Sequence, residues 1–393
     1  MCGIVGIIGK DEVATHLLDA LRRLEYRGYD SAGVATLTDD GIKRCRAEGK
    51  LVNLSARLKE DPLPGSIGIG HTRWATHGVP SEVNAHPHAT EKAAVVHNGI
   101  IENFQVLRDE LEAEGHNLAS ETDTEVVVHL ITNYLNDGLS PEQATGAVLK
   151  QLEGAFALGI IFAGEHDLMI AARRGSPLAI GYGEGEMFIG SDAMALAPLA
   201  RNITYLEEGD WAIITGSGVT VRDAKDKVVL RPIQETALSG ALTGKDGYDH
   251  YMLKEIFEQP QVIGDTLHSF VNPTNKTITL PELPIDLTTV SKITISACGT
   301  AYYAGLTAKY WLEQIARVSV EVDIASEFRY RSTVLLDDGL AILISQSGET
   351  ADTLAALRYC RGQGQNILSI VNVPESSIAR ESDAVLKTYA GPE

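Results

Sequence analysis

The chain has 393 residues, of which 44% are hydrophobic and 22% are charged, with a formal net charge of −20. So acidic a surface argues against general binding to nucleic acid or to an anionic membrane, although single loops can still bind anionic substrates. The four cysteines are widely separated and form no C-x-x-C pair, which indicates neither a zinc site nor a disulfide framework, so we expect a cytoplasmic protein. No apolar run approaches the about 20 residues that span a bilayer.

Residues 2–238 predict one α+β domain in which helices cover strands. Helical spacing of apolar residues begins at 13, at 104 and at 125. Strand patterns lie at 2–8, as a pair around His71 and His97, and at 155–163, 168–172, 187–189, 211–215 and 219–221.

Cys2 follows the initiator methionine at the start of the first apolar strand. If Met1 is removed, a thiol and a free α-amino group share one residue, and the amine can take the thiol proton. The alternative is a cysteine that acts only as a small buried hydrophobic residue.

Three further segments carry polar residues without hydrophobic spacing, at 71–78, 96–103 and 121–125. An amidase that acts on an amino acid needs a clamp for each α-substituent and an oxyanion hole. Arg73 can pair with an α-carboxylate, and Asp123 can accept from an α-ammonium. The side-chain amide of Asn98 and the N–H of Gly99 can form the oxyanion hole.

Each of these residues also has a structural alternative. Asn98-Gly99 is typical of a type I′ turn, and Asp123 of a helix N-cap. Arg73 is equally compatible with a surface ion pair. The histidines at 71, 77 and 97 can be hydrogen-bonded polar residues, and their spacing matches no zinc ligand set.

Together these motifs resemble the class II glutamine amidotransferases of the N-terminal-nucleophile hydrolase superfamily, and most closely the branch that aminates fructose 6-phosphate. The matching segments are MCGIVG at 1–6, YRGYDSAG at 26–33, HTRWATHG at 71–78, HNGIIEN at 97–103 and ETDTE at 121–125. The resemblance implies a four-layer αββα sandwich in which Cys2 is the nucleophile after loss of Met1, and Asn98 and Gly99 form the oxyanion hole. It assigns glutamine binding to Arg73, Thr76, His77 and Asp123. It also places Trp74 on a mobile loop that gates a passage for ammonia.

Residues 239–249 are rich in Gly, Ser and Thr and predict a linker. Residues 250–393 then alternate between helix and strand, which predicts a doubly wound parallel sheet. The predicted helices lie at 250–267, 302–315 and 350–361, and the strands at 293–297, 318–322, 340–344, 367–371 and 384–388.

A loop of Ser, Gly and Thr, residues 345–350, joins a strand to a helix and predicts a site for a phosphate monoester. The loop has no lysine and therefore is not a nucleotide P-loop. A serine-rich N-cap is the alternative. Residues 298–301 follow a second strand and are expected at the same edge of the sheet.

These two loops resemble the sugar isomerase (SIS) domain of the same branch. The resemblance implies that fructose 6-phosphate is held by Thr300, Ser345, Gln346, Ser347 and Thr350. Ala301 stands where a phosphate-binding serine is often found, so binding is expected to lose one hydrogen bond, about 1 kcal/mol. No metal and no cofactor is implied.

Members of that branch carry two SIS modules, and this chain is expected to end within the first. The complete protein is expected to be a homodimer that converts glutamine and fructose 6-phosphate to glucosamine 6-phosphate, whereas this chain alone is expected to hydrolyse glutamine only. Two alternatives stay open. An amidotransferase that acts on phosphoribosyl diphosphate is expected to have an acidic pair in its diphosphate loop, which residues 345–350 lack. A non-catalytic sugar-phosphate sensor is expected to retain Met1.

Overall fold

The computed structural model describes residues 2–25, 28–75, 77–236, 247–280 and 283–391. The chain divides into two compact units, Met1–Leu242 and Thr243–Glu393. Most of the predicted linker, residues 239–246, lies outside the described residues, so its extent stays a prediction.

Among its described residues, the first unit has two antiparallel sheets and six helices. Its strands are β1 Gly3–Ile8, β2 Ser31–Thr38, β3 Gly41–Glu48, β4 Ile67–Arg73, β5 His88–Ala89, β6 Ala93–Ile101, β7 Gly154–Phe162, β8 Met169–Arg174, β9 Ala179–Tyr182, β10 Met187–Gly190, β11 Asn202–Tyr205, β12 Trp211–Thr215, β13 Gly218–Arg222, β14 Val228–Val229 and β15 Gln234–Glu235. Its helices are α1 Ala14–Arg22, α2 Leu51–Glu60, α3 Phe104–Ala113, α4 Glu125–Asn136, α5 Pro141–Leu149 and α6 Ala193–Leu196. The first sheet has the order β15-β11-β9-β10-β1-β4-β2-β3, and the second β14-β13-β12-β8-β7-β6-β5.

Three hydrophobic cores stack through this unit and define four layers. Helices α1, α2 and α6 pack on one face of the first sheet. Helices α3, α4 and α5 pack on one face of the second sheet. The third core lies between the two sheets, where residues such as Ile4, Ile69, Val96 and Ile161 are fully buried. The predicted αββα sandwich is confirmed.

The two strands predicted around His71 and His97 are both present, but the prediction that they pair with each other is wrong. His71 lies in β4 of the first sheet, where β4 pairs with β1 and β2. His97 lies in β6 of the second sheet, where β6 pairs with β5 and β7. Two apolar strands that follow each other in sequence are hard to assign, because partners within a sheet and neighbours across an interior have the same composition.

The second unit contains a five-stranded, all-parallel sheet and a small hairpin. Its helices are α7 Tyr251–Phe270, α8 Gly299–Trp311, α9 Ala325–Phe328, α10 Ala351–Gly362 and α11 Ser377–Arg380. Its strands are the hairpin β16 Val271–Asn272 and β17 Thr277–Ile278, then β18 Lys292–Ala297, β19 Ser319–Ile324, β20 Leu340–Ser345, β21 Asn366–Val371 and β22 Ala384–Lys387. The parallel sheet has the order β19-β18-β20-β21-β22, and apolar cores lie on both of its faces. The predicted parallel α/β architecture is confirmed.

Candidate functional site

Cys2 stands immediately before β1, a central strand of the first sheet. The backbone N–H of Trp74 donates to its Sγ at 3.2 Å, and the Trp74 carbonyl lies 3.5 Å from the same sulfur. Burial raises the pKa of the Cys2 thiol, against the lowering effect of the hydrogen bond from Trp74. The thiol therefore needs a base to become a nucleophile.

Asn98 reaches Cys2 from the other sheet. Its Nδ2 donates to the backbone carbonyl of Cys2 at 2.9 Å. Asn98 and Gly99 both lie inside β6, so the type I′ turn interpretation is wrong. Gly99 has a φ of +126°, and a Cβ there would come within 2.0 Å of the Ala155 carbonyl oxygen, so this position requires glycine.

Asn98 contacts the buried His71, which in turn contacts the buried His86. Neither histidine was assigned to the site from the sequence. His71 Nε2 lies 3.0 Å from Asn98 Oδ1 and 2.9 Å from the His97 carbonyl oxygen. His71 Nδ1 lies 3.1 Å from Nδ1 of His86. One sequence signal for His71 was its position two residues before Arg73 on the same strand, because both side chains then point to the same face.

Arg73 closes β4 and is 3% exposed. Its Nη2 donates to the backbone carbonyl of His77, whereas its Nη1 is buried and has no hydrogen-bond partner among the described residues. A buried guanidinium N–H without a partner costs free energy, which an arriving carboxylate would recover. The surface ion-pair interpretation of Arg73 is therefore wrong.

Asp123 is buried two residues before α4 begins, and it contacts β6. Its Oδ2 accepts from the backbone N–H of Ile101 at 2.8 Å and lies 3.9 Å from His97 Nδ1. The N-cap of α4 is Thr124, which makes no side-chain cap bond, so Asp123 is not the helix cap that the alternative predicted.

The loop after Arg73 is held by the segment before β2. The Ala75 N–H donates to Asp30 Oδ2 at 2.8 Å, and the rings of Tyr29 and Trp74 meet edge to face at 5.6 Å. Trp74 is 45% exposed. The ring of His77 lies edge-on to Phe104. The predicted glutamine-binding residue Thr76 lies outside the described residues.

The candidate phosphate loop lies in the second unit, at the carboxyl end of β20. Strands β18 and β20 are parallel neighbours, so α8 and α10 both begin at this edge of the sheet, as predicted. The Ser345 hydroxyl accepts from the Gly348 N–H at 3.0 Å and lies 3.0 Å from the Thr350 hydroxyl. Ser345 is buried and shapes the loop from within.

The remaining predicted phosphate ligands lie at the rim of the same loop or on the neighbouring helix. Gln346, Ser347 and Thr350 are partly exposed, and Thr300 is exposed in the first turn of α8. The Ser347 hydroxyl accepts from the Glu349 N–H at 3.2 Å. The buried carboxylate of Glu349 accepts from the Ser377 N–H at 2.7 Å and so ties the loop to α11.

Within the described residues, no group of three or more His, Cys, Asp or Glu side chains is arranged to hold a metal ion. The four cysteines are free. Across the same residues, no helix has the length and apolar character needed to cross a membrane.

Two family models match the chain: a glutamine amidotransferase domain over residues 71–198 and a SIS domain over residues 286–393. The whole chain is 60% identical to a glutamine–fructose-6-phosphate aminotransferase (isomerizing) of Brucella abortus biovar 1 and 56% identical to one of Zymomonas mobilis subsp. mobilis. It spans 65% of the length of each of these relatives. A glutamine phosphoribosylpyrophosphate amidotransferase from B. subtilis, in a complex with ADP and GMP, aligns with a TM-score of 0.51 and 17% identity, over 94% of this chain and 81% of its own. That likeness shows the fold alone.

Proposed function

We propose that this chain, a close homologue of the glutamine–fructose-6-phosphate aminotransferases with a glutamine amidotransferase domain and a SIS domain, hydrolyses glutamine at Cys2 and binds fructose 6-phosphate at residues 345–350. The proposal rests chiefly on one arrangement. The Asn98 amide donates to the Cys2 carbonyl, and the Trp74 N–H donates to the Cys2 sulfur. Arg73, the residue before Trp74, has a buried Nη1 with no hydrogen-bond partner among the described residues.

The reaction begins with removal of Met1, which exposes the α-amine of Cys2. The amine takes the thiol proton, and the thiolate attacks the carboxamide carbon of glutamine. The resulting oxyanion accepts hydrogen bonds from the Asn98 amide and the Gly99 N–H. The protonated amine gives its proton to the leaving nitrogen, so ammonia departs and a thioester forms. Water, deprotonated by the same amine, then releases glutamate.

Arg73 and Asp123 bind the two α-substituents of glutamine. The Nη1 of Arg73, which is buried and has no partner in the part of the chain that the structure describes, donates to the α-carboxylate, and the buried charge pair is favourable because little water competes. Asp123 accepts from the α-ammonium, with Ile101 holding its carboxylate in place. Thr76 and His77 are proposed to bind glutamine as well, on the resemblance of residues 71–78 alone, and Trp74 is proposed to gate a passage for ammonia.

The sugar half of the reaction takes place in the longer protein. The phosphate of fructose 6-phosphate is held by Ser345, Gln346, Ser347 and Thr350 at the N-terminus of α10 and by Thr300 at the N-terminus of α8. Ammonia adds to C2 of the open-chain ketose, and isomerisation gives glucosamine 6-phosphate. Because the relatives are longer by about a third of their length, we propose that these 393 residues alone make glutamate and ammonia but no amino sugar.

The complete protein is proposed to be a cytoplasmic homodimer that binds neither nucleic acid nor membrane. Large apolar side chains are exposed along two helices of the second unit: Met252, Ile256, Phe257 and Ile263 on α7, and Tyr303, Tyr310 and Trp311 on α8. So much exposed apolar surface favours an interface in the complete protein, and a C₂ dimer is the commonest symmetric assembly.

Intact mass spectrometry and peptide mapping after treatment with 6-diazo-5-oxo-norleucine test the glutamine half. The expected result is a chain without Met1 that carries one adduct on Cys2, together with production of glutamate from glutamine. The Cys2→Ser variant, incubated in parallel, should stay unlabelled and inactive. A processed chain that neither reacts nor hydrolyses glutamine would refute the proposal and favour a sugar-phosphate sensor. Formation of glucosamine 6-phosphate by the 393-residue chain would contradict the proposal that these residues alone make no amino sugar.

A further inference from the structure

We propose that His71 is a positioning residue for the oxyanion hole: its Nε2–H holds the Asn98 amide with the N–H groups toward Cys2, and His86 holds His71 in the required tautomer. This inference deepens the proposed function and rests on it. It predicts fixed proton positions on the side chains of Asn98, His71 and His86, and these positions can be measured without any reaction.

Two backbone carbonyls determine where the protons are. His71 Nε2 lies 2.9 Å from the His97 carbonyl oxygen, which can only accept, so Nε2 carries a proton. The Asn98 atom 3.0 Å from that Nε2 must then be the acceptor Oδ1. The other end of the amide faces the Cys2 carbonyl at 2.9 Å, which again requires a donor. The amide therefore has one permitted orientation.

The position of the proton between His71 and His86 follows from the burial of His71. Burial lowers the pKa of His71 to about 3, so its ring is neutral and its Nδ1 has no proton. His86 Nδ1, 3.1 Å away, must therefore be the donor of that pair. The two rings pack edge to face with centroids 4.2 Å apart, and both residues are buried. His86 thus selects the tautomer of His71 that donates to Asn98.

This arrangement bears on the transition state more than on substrate binding. The Asn98 Nδ2 has two protons, and the bond to Cys2 uses only one of them. The second is available for the oxyanion when the amide plane is fixed. Without the His71 donor the amide can rotate, and part of the oxyanion stabilisation is lost, whereas the α-substituents of glutamine are still held by Arg73 and Asp123.

A double-mutant cycle for glutamine hydrolysis tests the proposal in the 393-residue chain. His71→Leu keeps the volume and removes the donor, so kcat should fall about 10- to 100-fold, which is less than the about 10²–10³-fold effect of losing one oxyanion donor outright, with KM changed less than twofold. His71→Gln can place an amide N–H near the position of Nε2 and should restore most of kcat. In the Asn98→Ala background, His71→Leu should lower kcat by less than about twofold, because the amide that His71 positions is no longer present.

His88→Leu is the matched control. His88 is equally buried, and its Nε2 lies 3.0 Å from Thr122 Oγ1, with no bond to Asn98. If His88→Leu lowers kcat through a loss of stability, the fall should be the same in the wild-type and in the Asn98→Ala background. An equal loss for His71→Leu with and without Asn98, or an unchanged kcat, would overturn the proposal.

Nuclear magnetic resonance of histidine-labelled chain supplies the second readout. Long-range ¹⁵N–¹H spectra at pH 7 should show His71 as the Nε2–H tautomer and His86 as the Nδ1–H tautomer. The opposite tautomer at His71 would refute the inference whether or not the variants fold. If the wild-type chain has these tautomers but does not hydrolyse glutamine, the proposed function fails and the positioning arrangement stands.

Discussion

The side-chain amide of Asn98 donates to the backbone carbonyl of Cys2 at 2.9 Å, although 96 positions separate the two residues in the chain. Asn98 belongs to the second sheet, and Cys2 stands just before β1 of the first. The bond therefore spans the two inner layers at the rim of the core between them. The relative position of Cys2, the proposed nucleophile, and Asn98, the proposed oxyanion donor, depends on how these two sheets pack, so we expect changes in that core to affect kcat as well as stability.

Gly99→Ala should destabilise the first unit by at least about 2–3 kcal/mol, through steric overlap and a φ that alanine rarely adopts. The new Cβ would lie 2.0 Å from the Ala155 carbonyl oxygen. Urea unfolding measures the loss. Gly115→Ala is the control, because its φ is also positive, at +92°, but no atom lies within 4 Å of the added Cβ. Equal losses at the two positions would show that the contact with Ala155 is unimportant.

Arg73→Lys should raise KM for glutamine about 10- to 100-fold with a smaller effect on kcat, because a lysine ammonium cannot replace the guanidinium fork. Steady-state glutaminase kinetics measure this effect. The variant should lose nothing on 4-aminobutanamide, which lacks the α-carboxylate. Arg57→Lys, at an exposed ion pair with Glu82, is the control and should leave KM unchanged. A similar loss on both substrates would contradict a role in binding the α-carboxylate.

Stability of the first unit should fall as the pH falls below about 6.5. Burial lowers the pKa of His71 to about 3, and burial also lowers the pKa of His86 well below its ordinary value. The unfolded chain therefore binds protons that the folded chain excludes, and each such histidine costs about 1.4 kcal/mol per pH unit between pH 6.5 and its folded pKa.

Urea unfolding between pH 7.5 and 5, followed by hydrogen exchange of the β4 and β6 amides, measures this dependence. His71→Gln removes one titrating group and should flatten the slope by about one proton. Parallel slopes for the variant and the wild type would show that His71 titrates normally in the folded chain.

Ala301→Ser should tighten binding of fructose 6-phosphate about fivefold, the equivalent of one hydrogen bond of about 1 kcal/mol. Ala301 lies in the first turn of α8, at the same edge of the sheet as the phosphate loop. Isothermal titration calorimetry measures the change. Ala304→Ser, exposed one turn further along α8, is the control and should have no effect. Weaker binding by Ala301→Ser would indicate that the phosphate does not approach this turn.

Local pattern predicted most of the fold. Strand β1, helix α4 and the alternating elements from β18 to β22 carry strong apolar periodicity, and the structure has them close to the predicted positions. The hairpin of β2 and β3 was missed, because β3 is an edge strand in which exposed positions alternate weakly with half-buried ones. Helix α2 was missed as well.

The pairing of His71 with His86 and Asn98 could not be predicted from the sequence. Their contacts join β4 of the first sheet to β6 of the second, and to the loop that precedes β5. Such contacts depend on the register of one sheet over the other, which no local pattern encodes. The polar type of each residue was visible, but the proposed proton arrangement rests on two backbone carbonyls and on the burial of His71, which only the structure supplies.

The position of β1 at the centre of its sheet has a consequence for synthesis on the ribosome. The strand that follows Cys2, the proposed nucleophile, is made first, but it pairs with β4 on one side and with β10, residues 187–190, on the other. At about 5–20 residues per second, its second partner emerges roughly 10–40 s after it does. During that interval an apolar segment at the amino terminus lacks its full set of partners. The residue next to Met1 is therefore open to processing enzymes early and becomes enclosed late.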